Sequence, residues 1–211
     1  MLVAIAGGHG QIALLLTRQL ADRGDKVRSL IRNPDHADDV REAGGEPVVC
    51  DLEAADEQTL TEAVRGADAV VFAAGAGPGS GSERKLTMDL GGAEKLIAAA
   101  KGAGIARYVM VSSINADPAA PGDDTFSVYL RAKGEADARL AESGLDHTTV
   151  RPGRLTDEPA TGRVAIGDDV GDGAIPRADV AAVVAAVLAE PGSIGATFDL
   201  ISGATPIDEA F

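Results

Sequence analysis

Five short apolar runs, at 2–6 (LVAIA), 26–31 (KVRSLI), 46–50 (EPVVC), 68–73 (DAVVFA) and 107–111 (RYVMV), alternate with segments whose apolar residues recur at helical spacing. This alternation narrows the fold more than any other feature of the chain. Runs of that length suit strands and are too short for helices, and a strand apolar throughout needs cover on both faces. Strand and helix in repetition predict an α/β chain, a doubly wound parallel sheet of the Rossmann type with helices on both faces.

The first helix carries Ile12, Leu15, Leu16 and Leu20 on one face, with Gly24 as its stop. A second stripe, Leu86, Leu90, Ala93, Ile97 and Ala100, predicts one helix over 84–101. Further helices are expected near 125–143, closed by Ser143-Gly144, and at 177–189. Strands follow at 147–151, 162–166 and 197–201. No linker or repeat divides the 211 residues, so a single domain over 1–211 is expected.

Composition excludes several function classes. With one cysteine, Cys50, and three scattered histidines, His9, His36 and His147, no metal site is expected. The formal charge of -14 argues against direct nucleic-acid binding, which depends on Lys and Arg neutralising phosphates. No apolar run approaches the roughly 18 residues of a membrane span. The start, MLVAIAGGHG, lacks the features of a signal peptide, so a cytoplasmic protein without a membrane partner is expected. The same negative field opposes anionic ligands, and a phosphate needs local help from backbone N–H groups, a helix N-terminus and a placed arginine.

Such help is present in the stretch AIAGGHGQIA, where Gly7, Gly8 and Gly10 lie directly between a predicted strand and a predicted helix. Its glycines admit two registers, Gly8-x-Gly10-x-x-Ala13 and Gly7-x-x-Gly10-x-x-Ala13. Either lets backbone approach a pyrophosphate at the helix end, as dinucleotide sites do. An NAD-preferring site places Asp or Glu about 20 residues on, to bind the ribose hydroxyls. Here the second strand ends in Leu30-Ile31-Arg32-Asn33-Pro34, and a guanidinium at that point suits a 2′-phosphate. NADP is therefore the expected cofactor, ahead of NAD.

The ordered set AGGHGQIA, LIRNP, VVCDL, VVFAAGAG, MDLGGAEKLIAAA, YVMVSSINAD, YLRAKGEAD, SGLDHTTVRPG and IPRADVA resembles the short-chain dehydrogenase/reductase superfamily nearly end to end. The resemblance is to its atypical NAD(P)-binding members, the NmrA-like and epimerase-like proteins, and it favours the wider glycine register. It implies that Gly7, His9, Gly10, Gln11 and Ile12 surround the pyrophosphate, with Arg32 and Asn33 at the adenosine phosphate. Asp51 and Leu52 would flank the adenine, and Ala73, Ala74 and Gly75 would pass under its ribose. Pro152 and Gly153 would meet the nicotinamide carboxamide, near Ser112. The sequence also allows Asp51 a plainer role, as a helix cap before LEAADEQTL.

Tyr129 and Lys133 form Y-x-x-x-K, one helical turn apart. The pattern resembles the superfamily's active-site motif, in which a nearby ammonium favours the phenolate and the lysine holds the nicotinamide ribose. Ser113, or its neighbour Ser112, would bind the substrate carbonyl or hydroxyl. Many relatives have an asparagine where this chain has Asp89, a pattern shared with one atypical subgroup. The implied function is an NADP-dependent oxidoreductase or epimerase-like enzyme, a monomer or homodimer acting on a small molecule. Two alternatives share the same cofactor site, an NADP(H)-binding redox sensor without turnover and a flavin or quinone reductase. The C-terminal part from 154 on is short, and substrate contacts are expected from loops 75–82, 115–126 and 154–162.

Overall fold

The computed structural model describes residues 1–77 and 79–211. Its strands in chain order are β1 (Leu2–Ala6), β2 (Lys26–Ile31), β3 (Glu46–Val49), β4 (Ala69–Phe72), β5 (Arg107–Val111), β6 (Asp146–Pro152), β7 (Arg154–Thr156), β8 (Arg163–Gly167), β9 (Ala174–Pro176), β10 (Thr197–Ser202) and β11 (Thr205–Pro206). The helices are α1 (Gln11–Asp22), α2 (Ala37–Glu42), α3 (Glu57–Val64), α4 (Ser82–Arg84), α5 (Gly91–Gly102), α6 (Thr125–Ala141) and α7 (Arg177–Ala189).

The main sheet runs β11-β8-β10-β6-β5-β4-β1-β2-β3. Its strands from β3 to β10 are parallel, and β8 is antiparallel to β10 at the far edge. The expectation of a parallel sheet is thus met, except at that C-terminal edge. There the short β8 returns alongside β10 with β11 paired to its outer edge, and β7 pairs with β9 in a separate two-stranded sheet. Strand order reverses between β1 and β4, which opens a crevice at the carboxyl ends of those strands, the usual ligand position in such sheets.

The runs apolar throughout are strands covered on both faces, with side chains alternating between two cores. Val3 and Ile5 of β1 point into one core with α1 and α7, whereas Ala4 and Ala6 enter the other with α3, α5 and α6. Helix α7 is apolar nearly all round, consistent with burial between the sheet and α1.

Two local expectations are corrected. The segment 84–101 is not one regular α-helix: α4 passes into a π-helical stretch, Lys85–Leu90, and then into α5 without a break. Leu86, expected on the apolar stripe, is 49% exposed, while Met88 and Asp89 turn inward. The wider turn shifts the helix phase, so a stripe counted at 3.6 residues per turn fails at Leu86, while Leu90 still packs on the core. The helix within LEAADEQTL starts at Glu57, and Asp56 caps it by accepting a hydrogen bond from the Thr59 amide. Asp51 instead closes a tight turn by accepting from the Glu53 amide.

Candidate functional site

The turn between β1 and α1 fixes one end of the crevice. Gly7 has φ +78°, and a Cβ on it would lie 2.6 Å from Ala74 Cα, so backbone from β1 and from the end of β4 meet there. Gly8 donates its amide to Leu30 O at 2.9 Å, and a Cβ on it would collide with Ser29. Gly7 and Gly10 line the crevice, whereas Gly8 packs on β2, an arrangement that matches the wider register. Among the described residues no side chain caps α1, which leaves its first-turn amides for an outside acceptor.

From this turn a cavity of about 280 Å³ extends over β2, lined by His9, Leu30, Arg32, Asp51, Leu52 and Ala74. His9 and His36 stack with ring centroids 3.6 Å apart, and His9 Nε2 lies 2.6 Å from Asp39 Oδ2. Arg32 is 58% exposed, and its Nη1 is 3.7 Å from Glu53 Oε2. Asn33 turns away and caps the 3₁₀ turn Pro34–His36 by accepting from the Asp35 amide. Gln11 is exposed and lines a separate depression beside Arg18 and Arg177.

At the other end lies a cavity of about 510 Å³, lined by Ile12, Ala73, Gly75, Ser112, Tyr129 and Pro152. Lys133 and Asp89 form its buried floor, Lys133 Nζ standing 3.3 Å from Asp89 Oδ1 and donating to Val111 O at 3.2 Å. Asp89 Oδ2 accepts from the Ala76 amide at 3.1 Å, but its Oδ1 has the ion pair without an aligned hydrogen bond. The π-helical stretch aims Asp89 inward, and α6 places Tyr129, Lys133 and Asp137 on one face at successive turns. Asp124 starts α6 by accepting from the Phe126 and Ser127 amides.

Burial pulls the Lys133 pKa down, but its interactions with Tyr129, Asp89 and Asp137 together outweigh it and leave the ammonium favoured. Asp137 is paired with Arg151 at 2.8 Å. Burial nonetheless lifts its carboxyl above the usual aspartate range, against the opposing pull of Ser112 and Arg151. The Ser112 hydroxyl lies close enough to favour the Asp137 carboxylate without hydrogen-bond geometry, and both Ser112 Oγ and Asp137 Oδ1 are buried without a partner. Buried polar atoms of this kind accommodate a water or a ligand.

Tyr129 also lines the adjoining cavity of about 930 Å³, together with Ser113, Asn115, Gly153 and Arg154. Ser113 Oγ donates to Ile114 O at 3.1 Å, so its hydroxyl is held locally. Asn115 has φ +62°, the one left-handed non-glycine residue among those described, and it bends the chain after β5 back over the site.

The structure therefore gathers Gly7, His9, Gly10, Arg32, Asp51, Leu52, Ala73, Ala74 and Gly75 around the smaller cavity over β2. It gathers Ile12, Ser112, Ser113, Tyr129, Lys133, Pro152 and Gly153 at the other end, and leaves Gln11 and Asn33 off the crevice. Sequence reasoning missed Arg84 and His36 at the smaller cavity and Lys85 over the phenol, whereas Phe126 ends the loop 115–126 from which contacts are expected. Lys85 Nζ is 5.3 Å from the Tyr129 ring centroid, and the Phe126 ring stacks on Tyr129 at 6.0 Å. The sequence signal for Arg84 and Lys85 was their place just after the Gly-rich loop that follows β4.

Comparison with known proteins agrees with this geometry. Residues 7–191 match the family described as NAD(P)H-binding. The chain is 39% identical over 211 residues to the uncharacterized sugar epimerase YhfK of Bacillus subtilis, covering 100% of this chain and 98% of that protein. Among solved structures, a candidate NAD-dependent epimerase/dehydratase from Bacillus halodurans superposes with a TM-score of 0.91 at 38% identity, covering 99% of this chain and 97% of the other. The oxidoreductase ylbE of Lactococcus lactis superposes with a TM-score of 0.87 at 29% identity, over 100% and 94% of the two chains. The chain thus belongs to the NAD(P)H-binding family and is an atypical member of the short-chain dehydrogenase/reductase superfamily.

Proposed function

We propose that this chain is an NADP-dependent oxidoreductase or epimerase-like enzyme acting on a small carbonyl or hydroxyl substrate. The observation that carries this reading is Tyr129 beside Lys133, whose Nζ lies 6.0 Å from the phenol ring centroid, in an apolar cavity next to a glycine-lined crevice. The crevice suits a dinucleotide: a side chain at Gly7 would collide with Ala74 and push its walls apart, and the first-turn amides of α1 lack a side-chain cap among the described residues. Gly7, Gly10 and Ile12 would hold the pyrophosphate, Arg32 the adenosine phosphate, and Lys133, Pro152 and Gly153 the nicotinamide end. When bound, the cofactor supplies or accepts a hydride at the substrate carbon.

The chain's own part is proton and position. Tyr129 exchanges a proton with the substrate oxygen, and the neighbouring ammonium of Lys133 stabilises the phenolate that results. Ser113, with Ser112 behind it, orients that oxygen by hydrogen bonding. Asp89 holds Lys133 charged in a dry floor, because an unpaired ammonium there would bear a large desolvation cost. Purified protein with NADPH and panels of carbonyl compounds should show turnover, and Tyr129→Phe should reduce it by about 10²- to 10⁴-fold. Arg32→Ala should weaken NADPH binding more than NADH binding. Equal weakening of the two would remove the NADP assignment.

A second reading is an NADP(H)-binding redox sensor, favoured by the engagement of Lys133 with Asp89, which occupies the ammonium a proton relay would use. Absence of turnover across the panels, with binding that separates NADP⁺ from NADPH, would select it.

A further inference from the structure

Glu53 occupies a position that a crevice built for an anion does not require. Its Oε1 accepts from Thr87 Oγ1 at 2.6 Å, and its Oε2 lies 3.2 Å from Arg84 Nε and 3.7 Å from Arg32 Nη1. The carboxylate is only 23% exposed, whereas Arg84 is 36% and Arg32 58% exposed. Arg84 and Arg32 line the same cavity, one from α4 and one just after β2. Two guanidiniums thus share one fixed carboxylate at the mouth of the adenosine side, in a chain whose formal charge is -14.

We infer that Glu53 is the resident anion of a two-arginine phosphate site, and that it sets the preference between phosphorylated and unphosphorylated dinucleotides by competing with the 2′-phosphate for Arg32 and Arg84. This inference rests on the NADP reading above. Thr87 and Arg84 hold Glu53 firmly, and Arg32 is the looser partner, free to turn toward an arriving phosphate. The Thr87 hydroxyl and the Arg84 guanidinium keep the Glu53 carboxyl below the usual glutamate range despite partial burial, so the competitor stays charged at neutral pH. The cost of a fixed carboxylate falls on the dianionic phosphate, while a ribose hydroxyl carries no charge for it to repel.

Arg84 has a second role. Its Nη1 donates to Ala76 O at 3.1 Å, and Asp89, five residues on, accepts from the Ala76 amide. One loop residue is therefore held by a group facing the adenosine phosphate and by a group facing Lys133.

The test is direct titration of NADPH and NADH by calorimetry against the wild type, Glu53→Gln, Arg84→Met and Arg32→Ala, read as the ratio of the two dissociation constants. Glu53→Gln keeps the shape and removes the charge, and should shift the ratio about fivefold toward NADPH, with NADH binding unchanged. Arg84→Met should shift it by about the same factor the other way. A ratio that stays fixed in both variants, or moves toward NADH in Glu53→Gln, overturns the inference. Should Arg84→Met loosen the loop and weaken both dinucleotides, Glu53→Gln alone decides. If the wild type has no NADPH preference and Arg32→Ala leaves the ratio alone, the NADP reading itself fails. If Arg32→Ala abolishes a real preference that Glu53→Gln does not alter, only the role of Glu53 fails.

Discussion

The two ends of the crevice handle charge in opposite ways. At one end Arg32, Arg84 and Glu53 are paired at the solvent-exposed rim, and His9 leans on the exposed Asp39. At the other end Lys133 and Asp89 are 4% and 1% exposed and face an apolar cavity. Rim charges are cheap to rearrange and are screened by salt, so that end suits recognition. A buried pair is costly to break and holds one geometry, so that end suits chemistry.

Removing the cation at each end would test this contrast most strongly. Lys133→Met should destabilise the fold by about 3–5 kcal/mol in urea, because Asp89 is left buried without a partner. Replacing Asp89 by leucine as well should recover much of that loss. Arg32→Ala should change stability by less than about 1 kcal/mol in the same experiment. Comparable losses at the two positions would break the comparison.

A smaller effect is expected at the turn joining the ends. Gly7→Ala forces a side chain into a left-handed conformation against Ala74 and should cost about 1–3 kcal/mol, with loss of dinucleotide binding. Gly10→Ala should be milder in thermal denaturation, since a Cβ there would stand 3.2 Å from Gly7 O.

Salt sharpens the contrast further. Raising ionic strength from about 0.05 to 0.5 M should weaken NADPH binding severalfold more than NADH binding, because screening acts on the exposed rim. The smallest effect concerns pH. The folded Asp137 carboxyl titrates above its unfolded value, so its contribution to stability is greatest at low pH. That contribution is lost as pH rises from the usual aspartate value through the raised one. Asp137→Asn should flatten that slope in denaturation curves recorded across the acid range.

Much of this arrangement was legible in the chain. The β1–α1 turn, Arg32 after β2, and the Tyr129–Lys133 spacing are local signals, set by residues a few positions apart and by the strand or helix that carries them. What escaped depended on partners far along the chain or on an irregular helix. Arg84 meets Glu53 across 31 positions, and neither side chain carries a pattern that announces the other. The antiparallel β8 was found as a run but not in its direction, since an apolar stretch does not encode which way its neighbour points. Leu86 left the buried stripe because a regular turn length does not hold through the π-helical stretch.

The π-helical stretch also makes the chain sensitive to length in a way that substitutions cannot reveal. Loss of a single residue within Lys85–Leu90 would let the segment close into ordinary α-helix and turn everything before it by about 100°. Arg84 and Lys85 would swing off the 76–77 loop while α5 stayed seated on the sheet. A one-residue deletion here would thus act as a phase error, uncoupling Arg84 at the rim from the floor that holds Lys133.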